Sequence, residues 1–303
     1  MGSRNTTQFA VVLLFILGVE SIIAFLGNGF IIVVNGHRWL QSTKMLPCDL
    51  LLTTLGTTRF LWQSVVMTSQ FLNICSPGFF CQSYLWEIGF GVFTYSASAS
   101  IWCGTWLSVF YFVKVTSFAH RLFLWLKPRI YGLVPRLLGL SLTVFSFPFA
   151  ASGLRVSNYC NSVGNMTGNA SQGEENNYQF WIFSPLHFTF ITINVSICLT
   201  ASILLLISLW RHTRNLKRSG IATKDFNAQA HINVVNSLLS FLFFYILYAV
   251  AFTTSLGYSP RPDIVEGLFA DIALSLCPSV HSIILVLTNP KLKEVCIRIL
   301  KIK

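Results

Sequence analysis

His281–Val295 reads HSIILVLTNPKLKEV, and its character changes in the middle. An apolar run stops at Asn289-Pro290, and a basic segment with Lys291, Lys293 and Arg298 begins. That is the pattern of a membrane helix leaving the bilayer on its positively charged side. Pro290 has no N–H and suits the first turn of a new helix, and Asn289 is a good cap for it. The stretch therefore predicts a tail helix over 289–303, with Leu292, Val295, Ile299 and Ile302 as an apolar stripe. Lys291, Arg298 and Lys301 then stand where they can reach lipid headgroups.

Composition extends this reading to the rest of the chain. Of its 303 residues, 53% are hydrophobic and only 10% charged, whereas a soluble domain carries about a quarter charged residues. Seven apolar segments stand out: Phe9–Val34, Pro47–Phe71, Tyr84–Val113, Tyr131–Ala151, Pro185–Leu209, Val234–Leu256 and Ile264–Leu287. Each has about the 20 residues that cross a ~30 Å hydrocarbon core as helix. The fourth is the weakest, interrupted by Gly132, Pro135, Gly139 and Pro148. No segment has the alternation of a membrane β-strand, and no inverted repeat of the transporter kind is visible. The expected fold is an all-α membrane protein, a single seven-transmembrane helix bundle over residues 1–303 with a short amphipathic C-terminal helix.

The net charge of +11 is a topology signal before it is anything else. One set of loops holds Arg38 and Lys44, then Lys114, Arg121, Lys127, Arg129 and Arg136. It continues with Arg211, Arg214, Lys217, Arg218 and Lys224, and with the basic tail. The opposite set holds only Arg4, Arg155 and Arg261. The asymmetry puts the N-terminus outside and the tail inside, in a multi-pass protein of the plasma membrane. The basic face suits anionic lipid or an acidic partner, and nucleic acid is not expected. Met1–Gln8 lacks a signal-peptide pattern, so the first span is expected to act as an uncleaved signal-anchor. The sequons at Asn5, Asn165 and Asn169 fall on the expected outside as candidate glycosylation sites. A fourth, at Asn194, lies within a span and is read as accidental.

Cys75, Cys81 and Cys160 are expected outside, with no pairing assigned, and Cys296 in the tail is a candidate for acylation or a plain thiol. No Cys/His cluster has metal-ligand spacing, and there is no nucleophile–base pair or phosphate loop. No metal, cofactor or catalysis is expected. The informative residues are the polar ones inside spans: Glu20, Asn28, Arg59 and Asp271. A charge at a helix centre costs about 2.5–3.5 kcal/mol on insertion scales, so such residues face the bundle and find partners. Glu20 and Arg59, opposite in sign, are expected to pair directly or through Asn28. They would form a clamp between the first two helices that can also exchange partners. Asp271 lies about 10 Å of helix rise inside the seventh span, a depth suited to a ligand. Tyr245 and Tyr248 carry hydroxyls that need partners within the bundle.

The signatures of rhodopsin-like receptors are missing. The third span ends Phe110-Tyr-Phe-Val-Lys114 without Asp-Arg-Tyr, the sixth reads Ser240-Phe-Leu-Phe-Phe-Tyr-Ile-Leu-Tyr248, and Lys293 follows Asn289-Pro290 where Tyr is usual. Other motifs run from end to end: Glu20 with Gly27-Asn-Gly-Phe-Ile31; Leu46-Pro-Cys-Asp49 with Leu55-Gly-Thr-Thr-Arg59; and Trp102 with Leu107-Ser-Val-Phe-Tyr-Phe-Val-Lys-Val115. Phe118-Ala-His120, Phe123-Leu-Trp-Leu-Lys127, Leu206-Ile-Ser-Leu-Trp-Arg-His212, Ala230-His231, His281-Ser-Ile-Ile-Leu285 and Asn289-Pro-Lys-Leu-Lys293 continue the series. Together they resemble the type 2 bitter taste receptor family over nearly the whole chain, with Thr58 for the usual Ser and Ile283 for the usual Phe.

The resemblance implies a G-protein-coupled receptor of bitter small molecules, with a heterotrimeric, gustducin-like partner and no enzymatic activity. It places a ligand site around Phe93, Thr94, Ala97 and Ser98 of the third span, Tyr245 and Tyr248 of the sixth and Asp271 of the seventh. It also places a G-protein face at Lys114, His212 and His231. Phe93 and Ala97 stand where the family often has Trp and Asn, which implies a more apolar or differently shaped site. A vomeronasal receptor would share the topology but not the third-span stretch or the tail. A transporter or channel would need a polar path through the lower third span, which is mostly apolar.

Overall fold

The computed structural model describes residues 2–42, 45–75, 84–116, 121–164, 189–208 and 264–300, with scattered positions between 210 and 250. Among the described residues all regular structure is α-helix. In chain order the helices are α1 (Gly2–Ser42), α2 (Pro47–Cys75), α3 (Tyr84–Val115) and α4 (Arg121–Gly164). They continue with α5 (Thr189–Ser208), α6 (helical positions between 239 and 250), α7 (Ile264–Thr288) and α8 (Pro290–Leu300). Gln8–Gln41, Thr189–Ser208 and Gly267–Thr288 are long and apolar enough to cross a membrane by length and composition.

α1 shows why these helices belong in lipid. Its inward face carries Leu13, Leu17, Glu20, Ser21, Ala24, Asn28, Ile31 and Asn35, spaced by three and four residues apart from the adjacent Glu20 and Ser21. Its outward face carries Phe15, Leu26 and Val33, each more than two-thirds exposed. Polar groups point in and large apolar groups point out, the reverse of a soluble amphipathic helix. The helices also overrun the apolar segments. α1 continues to Ser42, where Gln41 and His37 bond one turn apart at 3.0 Å. α4 passes unbroken through Gly132, Pro135, Gly139 and Pro148. Hydropathy marks the part of a helix that lies in hydrocarbon, not the helix itself, and membrane helices tolerate internal proline and glycine.

α1 packs against both α2 and α7, α2 against α3, and α3 against α4, so the two ends of the chain meet. Two glycines set the closest approaches. A Cβ on Gly56 would stand 3.3 Å from the Asn28 carbonyl oxygen, and one on Gly27 would stand 3.3 Å from Ser282 Cβ. Small residues let backbones meet where no hydrophobic drive exists between helices in lipid. Both approaches involve α1 at Gly27-Asn28, which brings Asn28, Arg59 and Ser282 within reach of one another.

The end of the bundle that carries α8 is filled by Ile31, Leu51, Leu52, Leu55, Leu107, Phe110, Val113, Ile130, Val134, Leu285 and Leu292. α8 starts as the sequence predicts, with Asn289 Oδ1 accepting from the backbone N–H of Lys291 at 3.0 Å and of Leu292 at 3.4 Å. Leu292 is buried, Val295 half-buried and Ile299 exposed, so the apolar stripe leaves the bundle along its length. Lys291 has a further contact that the sequence does not show: its Nζ lies 3.4 Å from Asp49 Oδ2 on α2. Ile302 and Lys301 lie outside the described residues.

Candidate functional site

Three polar groupings and one aromatic cluster occupy the interior. The deeper grouping centres on Arg59, which is 3% exposed. Its Nε donates to Ser100 Oγ on α3 at 3.1 Å, and its Nη1 donates to Ser282 Oγ on α7 at 3.4 Å. Ser282 Oγ lies 2.6 Å from both Asn28 Oδ1 and the Pro278 carbonyl, so its single proton serves one acceptor at a time. Asn28 Nδ2 donates back to the Ala24 carbonyl at 2.9 Å. Arg59 thus ties α1, α2, α3 and α7 together through neutral partners.

Glu20 is not among them. Both its carboxylate oxygens are buried and have no hydrogen-bond partner among the described residues. The expected direct pairing with Arg59, or through Asn28, is corrected by helix register. Gln63 donates to Ser21 Oγ at 2.6 Å and Gly56 abuts Asn28, so the antiparallel α1 and α2 place Arg59 level with about residue 25. Glu20 then sits about 7 Å of helix rise from Arg59, toward the opposite end. Opposite charges within two spans say nothing about level, and here the level separates them.

The second grouping lies farther from α8. Gln70 Nε2 donates to Asp271 Oδ2 at 2.6 Å, joining α2 to α7 with both side chains half-buried. Val66 and Met67, one turn from Gln70 along α2, and Leu268, Ile272 and Leu274, within a turn of Asp271 along α7, belong to a cluster with Trp62, Phe93, Ala97 and Tyr248. Trp62 is its hub. Its ring meets Phe93 of α3 edge-on at 5.7 Å and Tyr248 of α6 edge-on at 5.6 Å. Such contacts contribute about 0.5–1.5 kcal/mol each beyond area burial. The Trp62 indole N–H is buried and has no partner among the described residues.

The remaining residues expected at a ligand site divide into two groups. Ala97 is fully buried, Ser98 is half-buried, and Thr94 Oγ1 donates to the Gly91 carbonyl at 3.0 Å. These three share the α3 segment of Phe93. Tyr245 is set apart. Its hydroxyl donates to Asn194 Oδ1 on α5, which also accepts from Thr105 Oγ1 on α3 at 2.8 Å. Tyr245 therefore serves a three-helix junction. Asn194, read from sequence as an accidental sequon, is that junction's acceptor and is 1% exposed. Trp62, Gln70, Ser100 and Ser282 are the residues that sequence reasoning missed. The available signal was the one that found Arg59, a hydrogen-bonding group within a predicted span, applied there only to the strongest cases.

At the other end, Lys114 is exposed with its Nζ 5.8 Å from the Phe110 ring centroid. His212, His231, Asn165 and Asn169 lie outside the described residues, and Asn5 is in the first turns of α1 with its side chain outside them. Among the described residues no group of His, Cys, Asp or Glu could hold a metal ion.

The arrangement is a membrane bundle with an aromatic cluster and an acid–amide pair toward one end. A family described as taste receptor protein (TAS2R) matches residues 6–303. Taste receptor type 2 member 60 of Gorilla gorilla gorilla is 33% identical over 97% of this chain and 94% of its own length. The Homo sapiens member 60 is 32% identical with the same coverage. Taste receptor type 2 member 7 of Rattus norvegicus is 29% identical over 97% of this chain and 96% of its own. The chain belongs to the type 2 taste receptor family, and is a seven-transmembrane, G-protein-coupled chemosensory receptor of bitter taste rather than an enzyme.

Proposed function

We propose that this receptor sits in the plasma membrane with its N-terminus outside and binds a small, largely apolar bitter molecule among Trp62, Phe93, Ala97, Ser98 and Tyr248. The Gln70–Asp271 pair supplies the polar contact. One observation carries the reading: a half-buried carboxylate, held by an amide at 2.6 Å, adjoins an aromatic cluster drawn from three helices. Apolar walls with a few convergent polar groups are what small-molecule sites are made of. Phe93 and Ala97 add no hydrogen-bonding groups, so orientation falls to Asp271, Gln70 and the Trp62 indole. Asp271 favours agonists with a basic nitrogen or a strong donor.

An agonist acts by binding one packing of the helices better than another, which shifts their populations. Tyr248 on α6 touches Trp62 directly, so a ligand that moves the indole acts on α6. α6 then opens the α8 end to a heterotrimeric G protein of the gustducin kind, with Lys114, His212 and His231 on the rim and anionic lipid beside it. Asn5, Asn165 and Asn169 are the glycan acceptors of the outer face. Calcium release in cells carrying this chain and a promiscuous G protein tests the reading against a panel of bitter compounds. Agonists should be found, and Trp62→Ala and Asp271→Asn should change their potency at matched surface expression. Unchanged potency for every agonist in both variants would place the site elsewhere.

A further inference from the structure

α1 and α7 run side by side and touch at Gly27 and Ser282. Seven residues earlier, two turns back on each helix, Gly27 gives way to Glu20 and Ser282 to Ser275. The two steps match, so Glu20 and Ser275 stand at the same level on the faces that meet. Both are more than nine-tenths buried. Neither Glu20 oxygen nor Ser275 Oγ has a partner among the described residues.

Ser275 is unusual on its own helix. Ser279 donates to the Ser275 carbonyl at 2.7 Å and Thr288 to the Ile284 carbonyl at 2.7 Å, each one turn back. Ser275 does not use its hydroxyl this way. Pro278 adds to the local demand, because a proline within a helix has no N–H for the carbonyl four residues before it, here that of Leu274. One level of the α1–α7 seam therefore gathers two carboxylate oxygens and one hydroxyl, and Pro278 leaves the Leu274 carbonyl, one residue away, without its ladder donor. A buried acceptor without a donor costs roughly 1–3 kcal/mol, and buried water commonly makes about three hydrogen bonds to groups of this kind.

We infer that the α1–α7 seam holds an internal water site, bounded by Glu20, Ser275 and the Leu274 carbonyl. Leu13 and Leu17 of α1 and Leu268 and Leu274 of α7 belong to one packed cluster beyond this level, so the water is enclosed within the seam. The site lies between the Gln70–Asp271 pair and the Arg59–Ser282–Asn28 grouping. Asp271, Ser275, Ser279 and Ser282 line one face of α7 at helical spacing, so water at Ser275 joins two otherwise separate polar groupings into one path. The inference does not depend on what binds near Asp271.

Two measurements on the full receptor in lipid nanodiscs decide it. A structure resolving ordered solvent should show density within hydrogen-bonding distance of both a Glu20 oxygen and Ser275 Oγ. A dry seam, a direct Glu20–Ser275 bond, or a cation that disappears when sodium is replaced by N-methylglucamine would each overturn it. The second measurement is a melting-temperature cycle with Glu20→Leu and Ser275→Ala. Ser275→Ala should lower the melting temperature of the wild type but leave the Glu20→Leu receptor unchanged, because without the carboxylate the water has lost its main partner. Additive shifts would show that the two groups share no solvent. If Glu20→Leu does not reach a folded state, Glu20→Met, which also removes both oxygens, replaces it and is read by the same criterion.

Discussion

The two ends of the bundle are built by different rules. Toward α8 the interior is Leu51, Leu55, Phe110, Val113, Val134 and Leu292, all apolar and at most 5% exposed. Toward Asp271 the interior mixes Trp62, Phe93 and Tyr248 with an amide, a carboxylate, and donors and acceptors that have no partner among the described residues. The first end is held mainly by apolar packing, although Asn35 Nδ2 is buried there without a partner among the described residues. The second holds more such capacity, in Trp62, Glu20 and Ser275, and on the function proposed above that is where the receptor gains free energy by taking up a ligand. Changes at the α8 end should therefore damage folding, whereas changes at the Asp271 end should alter response while sparing the fold.

The largest effect should come from Phe110→Ala. Phe110 is 1% exposed and touches Tyr111 and Tyr131 edge-on. Removing a buried phenyl ring costs about 3–5 kcal/mol. Surface delivery and melting temperature should both collapse. If Phe110→Ala reaches the surface like wild type and changes only agonist potency, the contrast between the two ends fails.

Next is the exchange Glu20→Arg with Arg59→Glu. Arg59 bonds Ser100 and Ser282, and Glu20 stands about 7 Å farther along the helix. The exchange should not restore the surface expression that Arg59→Glu loses, because a carboxylate at 59 cannot donate to two hydroxyls. Full rescue, measured by cell-surface immunostaining, would restore the direct ion pair that the sequence suggested.

Much of this architecture is legible in the amino-acid sequence. Seven apolar runs mark the bundle, and Asn289-Pro290 marks the start of α8 to the residue. Arg59, Asn28 and Asp271 stand out because polar groups inside spans are costly and therefore few. Three-dimensional level is not legible. Glu20 and Arg59 look like partners among the intramembrane charges, and only the Gln63–Ser21 bond and the Gly56–Asn28 approach reveal that their heights differ. Trp62 and Tyr245 show the same limit. One is an apolar residue by composition that becomes the hub of a cluster. The other is a candidate ligand contact whose hydroxyl is already committed to Asn194.

Asp271→Asn should have a middling effect of a different kind. The amide preserves the shape and can still meet Gln70, so surface expression should hold. Agonist potency should shift by roughly tenfold, about 1.4 kcal/mol, and more for basic agonists than for neutral ones. Concentration–response curves at matched expression measure both quantities. Equal shifts for basic and neutral agonists would assign Asp271 to helix pairing through Gln70 rather than to the ligand's charge.

The smallest effect should be Lys291→Ala, and its value lies in comparison with Leu292→Ser in the same turn of α8. The Lys291–Asp49 bridge is 3.4 Å long with the lysine 45% exposed, and ion pairs in such settings contribute about 0.2–1 kcal/mol. Leu292 is 1% exposed and belongs to the apolar core, so placing a hydroxyl there loses packing and buries a polar group together. Signalling should survive Lys291→Ala nearly intact and fall sharply in Leu292→Ser. The Lys291→Ala effect should shrink further as salt is raised in a nanodisc G-protein activation assay, since exposed pairs are screened. If the two variants lose equal signal, α8 is held by its charge contact with α2. The α8 end would then join the Asp271 end as a place where polar contacts, not packing, set the arrangement of the helices.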